Sequence, residues 1–189
     1  MKEKQDLRKK MREKRKSLSL DYCKRADDRI RLFFKSTDSY RNSRFLFCYV
    51  SMEEEVDTRN LIAEALQEGK RVAVPRCQKG GRMEAWEIES LQDLEPGLFH
   101  ILEPKRNCKP VNLESLDLCV IPCLSCSSQG VRLGYGGGYY DRFLPKTKAE
   151  RIVLCREKLI CQNIPREAHD CFIPMIITEN GVNFYQNVE

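Results

Sequence analysis

The sequence lacks the features of a membrane protein and of a histidine-based metal centre. It has no run approaching the roughly eighteen apolar residues of a membrane span, and its charged beginning has no apolar signal core. Only two histidines occur in 189 residues, His100 and His169, and neither lies in a ligand pattern. Internal repeats, low-complexity tracts and linkers are also missing. We therefore expect a cytoplasmic protein that folds as a single domain over residues 1–189.

Cysteine, in contrast, is frequent, with ten residues. In a chain of this size without a signal sequence, we expect reduced thiols rather than disulfides. Cys119, Cys123 and Cys126 are close in sequence, but a structural zinc site also needs a fourth ligand, which is missing at motif spacing. We expect no zinc site here and interpret Cys119 as a small apolar side chain in a buried strand.

The most distinctive stretch is rich in glycine. Residues 132–144 read R-L-G-Y-G-G-G-Y-Y-D-R-F-L, and we call residues 134–138 the glycine loop. Glycine costs more backbone entropy than any other residue, so this density indicates a backbone that turns sharply or approaches a ligand. An apolar run at residues 118–122 precedes the loop, and a helix is predicted to begin at Tyr139. A strand, a glycine loop and a helix start are an arrangement that binds phosphate.

The loop matches neither common nucleotide-binding fingerprint. The dinucleotide pattern requires a third glycine where Tyr139 stands, and the P-loop requires a Gly-Lys-Ser/Thr ending. The alternative is a passive surface turn. Such a turn has no need of the flanking Arg132, Tyr135 and Asp141, so these residues favour a ligand site.

A β-α-β unit is predicted in the first half of the chain. Residues 44–50 and 71–75 are apolar runs typical of buried strands. Between them, Thr58 is a candidate N-cap of a helix that ends before Gly69. This order predicts an α/β fold with a mostly parallel sheet and right-handed crossovers, flanked by helices.

Two loops are expected to meet at one edge of this sheet. Ligands of parallel sheets bind beyond the carboxyl ends of the strands, so residues 50–55 and the glycine loop should share a rim. Glu53, Glu54 and Glu55 lie in the first of these loops. They are interpreted either as a solvated edge or as a segment in which one carboxylate faces a ligand.

The remaining elements follow from local patterns. Ser19 is a candidate N-cap of an amphipathic helix that reaches about Thr37. Residues 91–104 are predicted to be irregular, and Pro174 marks an edge or a break in the last strand. The other predicted strands cover residues 82–88, 116–122, 151–155 and 171–178.

A basic helix is predicted over residues 2–17. This segment carries the whole excess of the net charge of +5, and Lys4, Arg8, Arg12 and Arg15 fall three or four residues apart on one face. Three interpretations stay open: a solvated basic face, contact with nucleic acid, and contact between one or two cations and the phosphates of a nucleotide.

The sequence of residues 132–144 resembles the signature of the 5-formyltetrahydrofolate cyclo-ligase family, also called methenyltetrahydrofolate synthetases. Lys4 and Arg8 form a K-x-x-x-R pattern similar to the nucleotide-contacting helix start of that family. Residues 51–58, S-M-E-E-E-V-D-T, resemble the family loop that meets the folate. The resemblance implies a Rossmann-like fold of the NagB/RpiA/CoA transferase-like type.

The resemblance also implies particular site residues. It implies two catalytic residues, Arg132 and Tyr139, and two Mg²⁺ ligands, Asp141 and Asp170. The substrate contacts that it implies are Val50, Glu55, Tyr135, Gly136, Gly137, Gly138 and Tyr139. The ATP contacts that it implies are Lys4, Arg8, Arg132, Leu133, Gly134, Tyr135, Gly136, Gly137, Gly138, Tyr139 and Tyr140.

The chemistry implied by the resemblance converts 5-formyltetrahydrofolate to 5,10-methenyltetrahydrofolate with ATP and Mg²⁺. The formyl oxygen takes the γ-phosphoryl group, N10 closes onto the activated carbon, and phosphate leaves. Such a reaction depends on positioning and charge stabilisation more than on a protein nucleophile. We expect a monomer that acts on this small molecule, without a nucleic-acid or membrane partner.

The chain also departs from the family pattern. Cys126-Ser127 stands where the family often has Phe-Asp, and Tyr135 and Gly137 stand where some members have Lys or Arg. Pro174 lies where a further carboxylate is often found.

Alternative functions are a nucleic-acid-binding protein that uses the basic helix, a different ATP-dependent phosphoryl-transfer enzyme, and a family descendant that has lost turnover.

Overall fold

The computed structural model describes residues 2–78, 80–97, 101–167 and 170–186, so His100 and His169 lie outside the described residues. The helices are α1 (Lys2–Lys16), α2 (Leu20–Ser36), α3 (Asp38–Asn42), α4 (Arg59–Gln67) and α5 (Tyr139–Phe143). The strands of the first half are β1 (Phe45–Cys48), β2 (Arg71–Gln78), β3 (Arg82–Ile88), β4 (Leu94–Pro96), β5 (Leu102–Pro104) and β6 (Lys109–Pro110). Those of the second half are β7 (Leu118–Ile121), β8 (Ser125–Ser127), β9 (Arg132–Leu133), β10 (Glu150–Leu154), β11 (Ile160–Cys161), β12 (Met175–Thr178) and β13 (Gly181–Phe184).

An eight-stranded sheet organises the fold, in the order β13-β12-β10-β7-β1-β2-β3-β6. Its five central strands, from β12 to β2, are parallel, and β13, β3 and β6 are antiparallel additions at the edges. The predicted unit of β1, α4 and β2 is confirmed, because β1 pairs with β2 in parallel. The α/β fold with a mostly parallel sheet is therefore confirmed.

Side chains alternate between the two faces of the sheet along each strand. Every residue of β1 and β7 is buried, so both faces of the sheet are covered. On one face, Phe47 and Ile121 pack in a cluster with Met11 of α1 and Phe143 of α5. On the other face, Leu46 packs in a second cluster with α2 and α4. The helices therefore flank the sheet on both sides, as predicted.

The helix predictions agree closely with the structure. Ser19 caps α2, accepting a hydrogen bond from the backbone N–H of Tyr22. Thr58 precedes α4, but its hydroxyl donates to the carbonyl of Tyr49 instead of capping the helix, which corrects the predicted role. Gly69 follows α4 with φ of +79°, a left-handed conformation that glycine adopts readily.

Several strand predictions were incomplete. Residues 91–104 include the short hairpin of β4 and β5, although they were predicted to be irregular. The last predicted strand begins only after Pro174, and β13 follows it. The hairpin of β8 and β9 separates β7 from the glycine loop, which therefore does not follow the central strand directly. These elements are two to four residues long, too short for periodicity to reveal.

Among the described residues, no helix combines the length and the apolar character needed to cross a membrane.

Candidate functional site

A pocket of about 640 Å³ opens at the carboxyl edge of the central strands. Val50 follows β1, Pro75 lies in β2 and Pro122 follows β7, and all three line the pocket. The structure brings every predicted site residue to this one cavity: Lys4, Arg8, Val50, Glu55, residues 132–141 and Asp170. The loop of residues 50–55 and the glycine loop therefore share a rim, as predicted from the parallel sheet.

The glycine loop presents its backbone to this pocket. Gly136 has φ of +100° and Gly138 has φ of +64°, conformations that are unfavourable for residues with a side chain. In the part of the chain that the structure describes, the N–H groups of residues 134–138 donate no hydrogen bond to protein atoms. A row of backbone N–H groups in a cavity is a cradle for an anion.

Helix α1 holds the glycine loop from one side. Arg8 Nε donates to the carbonyl of Gly134 at 2.9 Å, and Arg15 Nη1 donates to the Tyr135 hydroxyl at 2.6 Å. Lys4 and Arg15 are buried, so the solvated-face interpretation of the basic helix is wrong for these two residues. The cationic row predicted on α1 faces the pocket and its loop.

The predicted cations and the predicted metal ligands are paired with each other. Arg132 Nη2 lies 2.7 Å from Asp141 Oδ1, and Lys4 Nζ lies 2.5 Å from Asp170 Oδ2 and 3.2 Å from a carboxylate oxygen of Glu167. Glu167 was missed by the sequence analysis, since its residue type and position carry no motif. Each of these two cations therefore has a carboxylate partner within the pocket.

Glu55 is the buried member of the three adjacent glutamates, whereas Glu53 and Glu54 are exposed. Its carboxylate accepts hydrogen bonds from the Tyr135 hydroxyl at 2.5 Å and from the backbone N–H of Met52 at 2.9 Å. Burial raises the pKa of the Glu55 carboxyl above its usual value, although both hydrogen bonds act in the opposite direction. A chain of contacts thus joins Arg15, Tyr135 and Glu55 across the pocket wall.

Arg156, which was not among the predicted site residues, fixes the loop that carries Glu55. Arg156 follows β10, is 3% exposed, and donates to the carbonyls of Glu54 at 3.0 Å and Glu55 at 2.7 Å. Its guanidinium is held in turn by the carboxylate of Asp27. No sequence motif marks this arginine, because its partners lie more than 100 residues away.

The carboxylates of the pocket suit a hard cation such as Mg²⁺. In the described ranges of the chain, no three of them have oxygens within 4.8 Å of one another. Mg²⁺ usually takes only one or two carboxylates and completes its shell with water and substrate phosphates. Asp141 and Asp170, which both line the pocket, fit that requirement.

A parallel sheet with a large pocket and a glycine loop at its carboxyl edge defines a Rossmann-like α/β protein with a small-molecule site. The sequence model of the 5-formyltetrahydrofolate cyclo-ligase family matches residues 1–179 of the chain. The chain belongs to this family, which confirms the interpretation of the glycine signature.

Named relatives agree with this assignment. The chain is 26% identical to the 5-formyltetrahydrofolate cyclo-ligase of Saccharomyces cerevisiae, over 97% of this chain and 99% of the yeast protein. It is 29% identical to the Escherichia coli K12 protein of the same name, over 71% of this chain and 77% of the bacterial one.

Solved structures show the same architecture. The Aquifex aeolicus 5,10-methenyltetrahydrofolate synthetase superimposes with a TM-score of 0.87 at 30% identity, covering 98% of this chain and 94% of that chain. The Mycoplasma pneumoniae 5,10-methenyltetrahydrofolate synthetase gives a TM-score of 0.77 at 19% identity, which shows likeness of fold.

Proposed function

We propose that this protein converts 5-formyltetrahydrofolate to 5,10-methenyltetrahydrofolate with ATP and Mg²⁺, releasing ADP and phosphate. One observation carries the proposal: the glycine loop, whose N–H groups donate no hydrogen bond to the protein atoms that the structure describes, lines the same cavity as the buried carboxylate of Glu55. The first suits a phosphate chain, and the second suits the N–H groups of a pterin ring. We retain the predictions that the protein is a cytoplasmic monomer without nucleic-acid or membrane partners.

The ATP site in this proposal is the glycine loop together with Lys4, Arg8 and Arg132. Phosphate oxygens would accept hydrogen bonds from the loop N–H groups, and the cations would balance their charge. Lys4 and Arg132 are each paired with a carboxylate in the structure. Binding therefore exchanges partners, so that phosphates replace the carboxylates around these two cations.

Asp141 and Asp170 are the residues proposed to hold Mg²⁺ when Lys4 and Arg132 turn to phosphate. When bound, the ion supplies positive charge that offsets the charge on the transferring phosphoryl group. The side chains of Asp141 and Asp170 are 21% and 13% exposed and already line the cavity. Little rearrangement is therefore needed for them to contact an ion there.

Glu55 and Tyr139 are proposed to position the folate. The Glu55 carboxylate is fixed by Tyr135 and Met52 and can accept a ring N–H, and Tyr139 can stack on the pterin. The protein supplies no nucleophile: the formyl oxygen attacks the γ-phosphorus and ADP leaves, after which N10 attacks the formyl carbon and phosphate departs with the oxygen. Holding these atoms in line is the main contribution of the site.

The test is to follow the absorbance of the methenyl product after mixing purified protein with 5-formyltetrahydrofolate and Mg²⁺, with and without ATP. We expect product only with ATP, and one ADP released for each product. Folded protein that binds ATP without making product would refute the proposed reaction. Folded protein that binds neither ATP nor folate would refute the proposed site as well.

A further inference from the structure

A cluster of three buried cysteines lies behind the pocket, and neither the proposed reaction nor the family resemblance uses it. Cys123 follows β7, Cys126 lies in β8 and Cys155 follows β10. Their Sγ atoms all lie within 4.8 Å of one another, and their exposed fractions are 6%, 0% and 2%. We call these residues the three-cysteine cluster.

The sheet register explains why these particular cysteines meet. β7 and β10 pair in parallel with Ile121 beside Val153, so Cys123 and Cys155 stand two residues further along neighbouring chain segments. Cys119, which is close to Cys123 and Cys126 in sequence, was the third cysteine expected near them, and Cys155 takes that place. Cys119 belongs to the strand itself, four residues before Cys123, and lies outside the cluster.

Two arginine side chains lie next to the backbone of the cluster. Arg15 Nη2 donates to the carbonyl of Cys123, and Arg132 Nη1 donates to the carbonyl of Pro122 at 3.2 Å. Both guanidiniums are buried. Arg15 Nε is also buried and, within the described residues, is the side-chain donor left without a hydrogen-bond partner. Arg132 is already paired with Asp141, so it is the unsatisfied Arg15 Nε donor that would suit a neighbouring thiolate.

A small cavity gives the cluster an open side. Its volume is about 10 Å³, close to the space of one water molecule. Arg15, Cys123 and Cys155 line it together with Arg156. A ligand on this side would therefore meet two of the three sulfur atoms.

We propose that Cys123, Cys126 and Cys155 bind Zn²⁺ through their three thiolates, with a water molecule in the adjoining cavity as the fourth ligand. Zn²⁺ takes thiolate ligands at about 2.3 Å in tetrahedral geometry, which places the sulfur atoms about 3.8 Å apart and within the observed limit. Binding replaces three S–H bonds with three S–Zn bonds and releases the protons to water. The complex then carries one net negative charge, beside the guanidiniums of Arg15 and Arg132.

The test measures zinc in untagged protein produced in zinc-supplemented medium and purified with a reductant but without chelators. We expect about one zinc ion per chain in the wild type. Cys126→Ser and Cys155→Ser should each lower this content by about tenfold or more. Cys119→Ser is the matched control, because Cys119 is equally buried but outside the cluster, and it should keep its zinc.

A second measurement avoids dependence on the folding of the variants. The wild type, refolded with Co²⁺, should develop sulfur-to-cobalt charge-transfer absorption and the visible bands of a tetrahedral site. Zinc-free wild type without these bands, or zinc retained by the cluster variants, would show that the cysteines are only small buried apolar side chains. Stoichiometric copper(I) in place of zinc would overturn the identity of the ion.

Discussion

At the scale of single residues, the pocket combines groups that are chemically costly to bury. The Glu55 carboxylate is only 6% exposed, and it is held by a tyrosine whose hydroxyl also contacts Arg15. Asp141 is fixed by Arg132 in the same cavity. Such groups persist because each is hydrogen-bonded or paired, and they are therefore sensitive to small changes.

Glu55→Gln should weaken folate binding, raising the Michaelis constant for 5-formyltetrahydrofolate with a smaller effect on that for ATP.

Glu55→Gln should also change the pH dependence of stability. Because the raised pKa of Glu55 favours the protonated form in the folded protein, stability falls as pH rises from the ordinary value of 4.5 through the folded-state pKa. Glutamine does not titrate, so this part of the decline should disappear.

The measurement is the free energy of unfolding in urea at several pH values, alongside steady-state kinetics. Glu54→Gln is the matched control, because Glu54 is the exposed neighbour, and it should behave like the wild type. A normal Michaelis constant for the folate in Glu55→Gln would remove this residue from the proposed folate site.

Asp141→Asn should lower kcat and raise the Mg²⁺ concentration needed for half-maximal activity by about 10- to 100-fold, because a neutral amide is a poorer ligand for a hard cation. The measurement is turnover as a function of Mg²⁺. Asp38→Asn is the control, since the Asp38 side chain is 89% exposed on α3. Unchanged Mg²⁺ dependence in Asp141→Asn would show that Asp141 is not a ligand.

At the scale of secondary structure, the glycine loop is shaped by the elements around it. Arg8 of α1 contacts it from one side, and Arg142 of α5 donates to the carbonyls of Gly81 and Gly137 from the other. The loop therefore depends on both helices, and a residue with a side chain at its turning points should disturb ligand binding more than folding.

Gly138→Ala should raise the Michaelis constant for ATP several-fold. Gly138 has φ of +64°, and a Cβ atom there would lie 2.7 Å from Arg142 Nη1. Gly69→Ala is the control: it has a similar φ of +79°, but nothing lies within 4 Å of its Cβ position. Both variants should lose about 1–2 kcal/mol of stability, and equal ATP constants in the two would refute a special role for the loop.

At the scale of the whole molecule, the parallel sheet forms the core of the protein and also carries the loops of the candidate site. The loops after β1 and β7 enter the pocket directly, and the strands are buried on both faces. The core should therefore control how much protein is folded, while leaving the chemistry of the folded fraction largely unchanged.

Leu46→Ala should destabilise the protein by about 2–5 kcal/mol, because it opens a cavity beneath a central strand where Leu46 is fully buried. Leu20→Ala is the control, since Leu20 is 90% exposed, and it should cost less than about 0.5 kcal/mol. Urea unfolding measures both. A loss in Leu46→Ala no larger than in the control would contradict this assignment of the core.

The sequence by itself determined the elements that local physics can specify. Glycine density, the cap at Ser19 and the apolar runs predicted the loop, the helix and the central strands, since each depends on neighbouring residues. The family signature is equally local and indicated residues 132–141 of the pocket, whereas Lys4, Arg8, Val50, Glu55 and Asp170 were indicated by other segments that resemble the family. The short strands β8, β9 and β13 were missed, because their stability comes from pairing with distant segments.

Only the tertiary structure decided which distant groups meet. The pairing of Lys4 with Asp170, the contact of Arg15 with Tyr135, and the approach of Cys155 to Cys123 join residues that are separate in sequence. No residue pattern encodes such contacts, because they are set by strand order, register and the docking of α1 against the sheet. The candidate ligand residues could therefore be predicted from the sequence. The pairing of Lys4 with Asp170 and of Arg132 with Asp141, and the three-cysteine cluster, could be seen only in the fold.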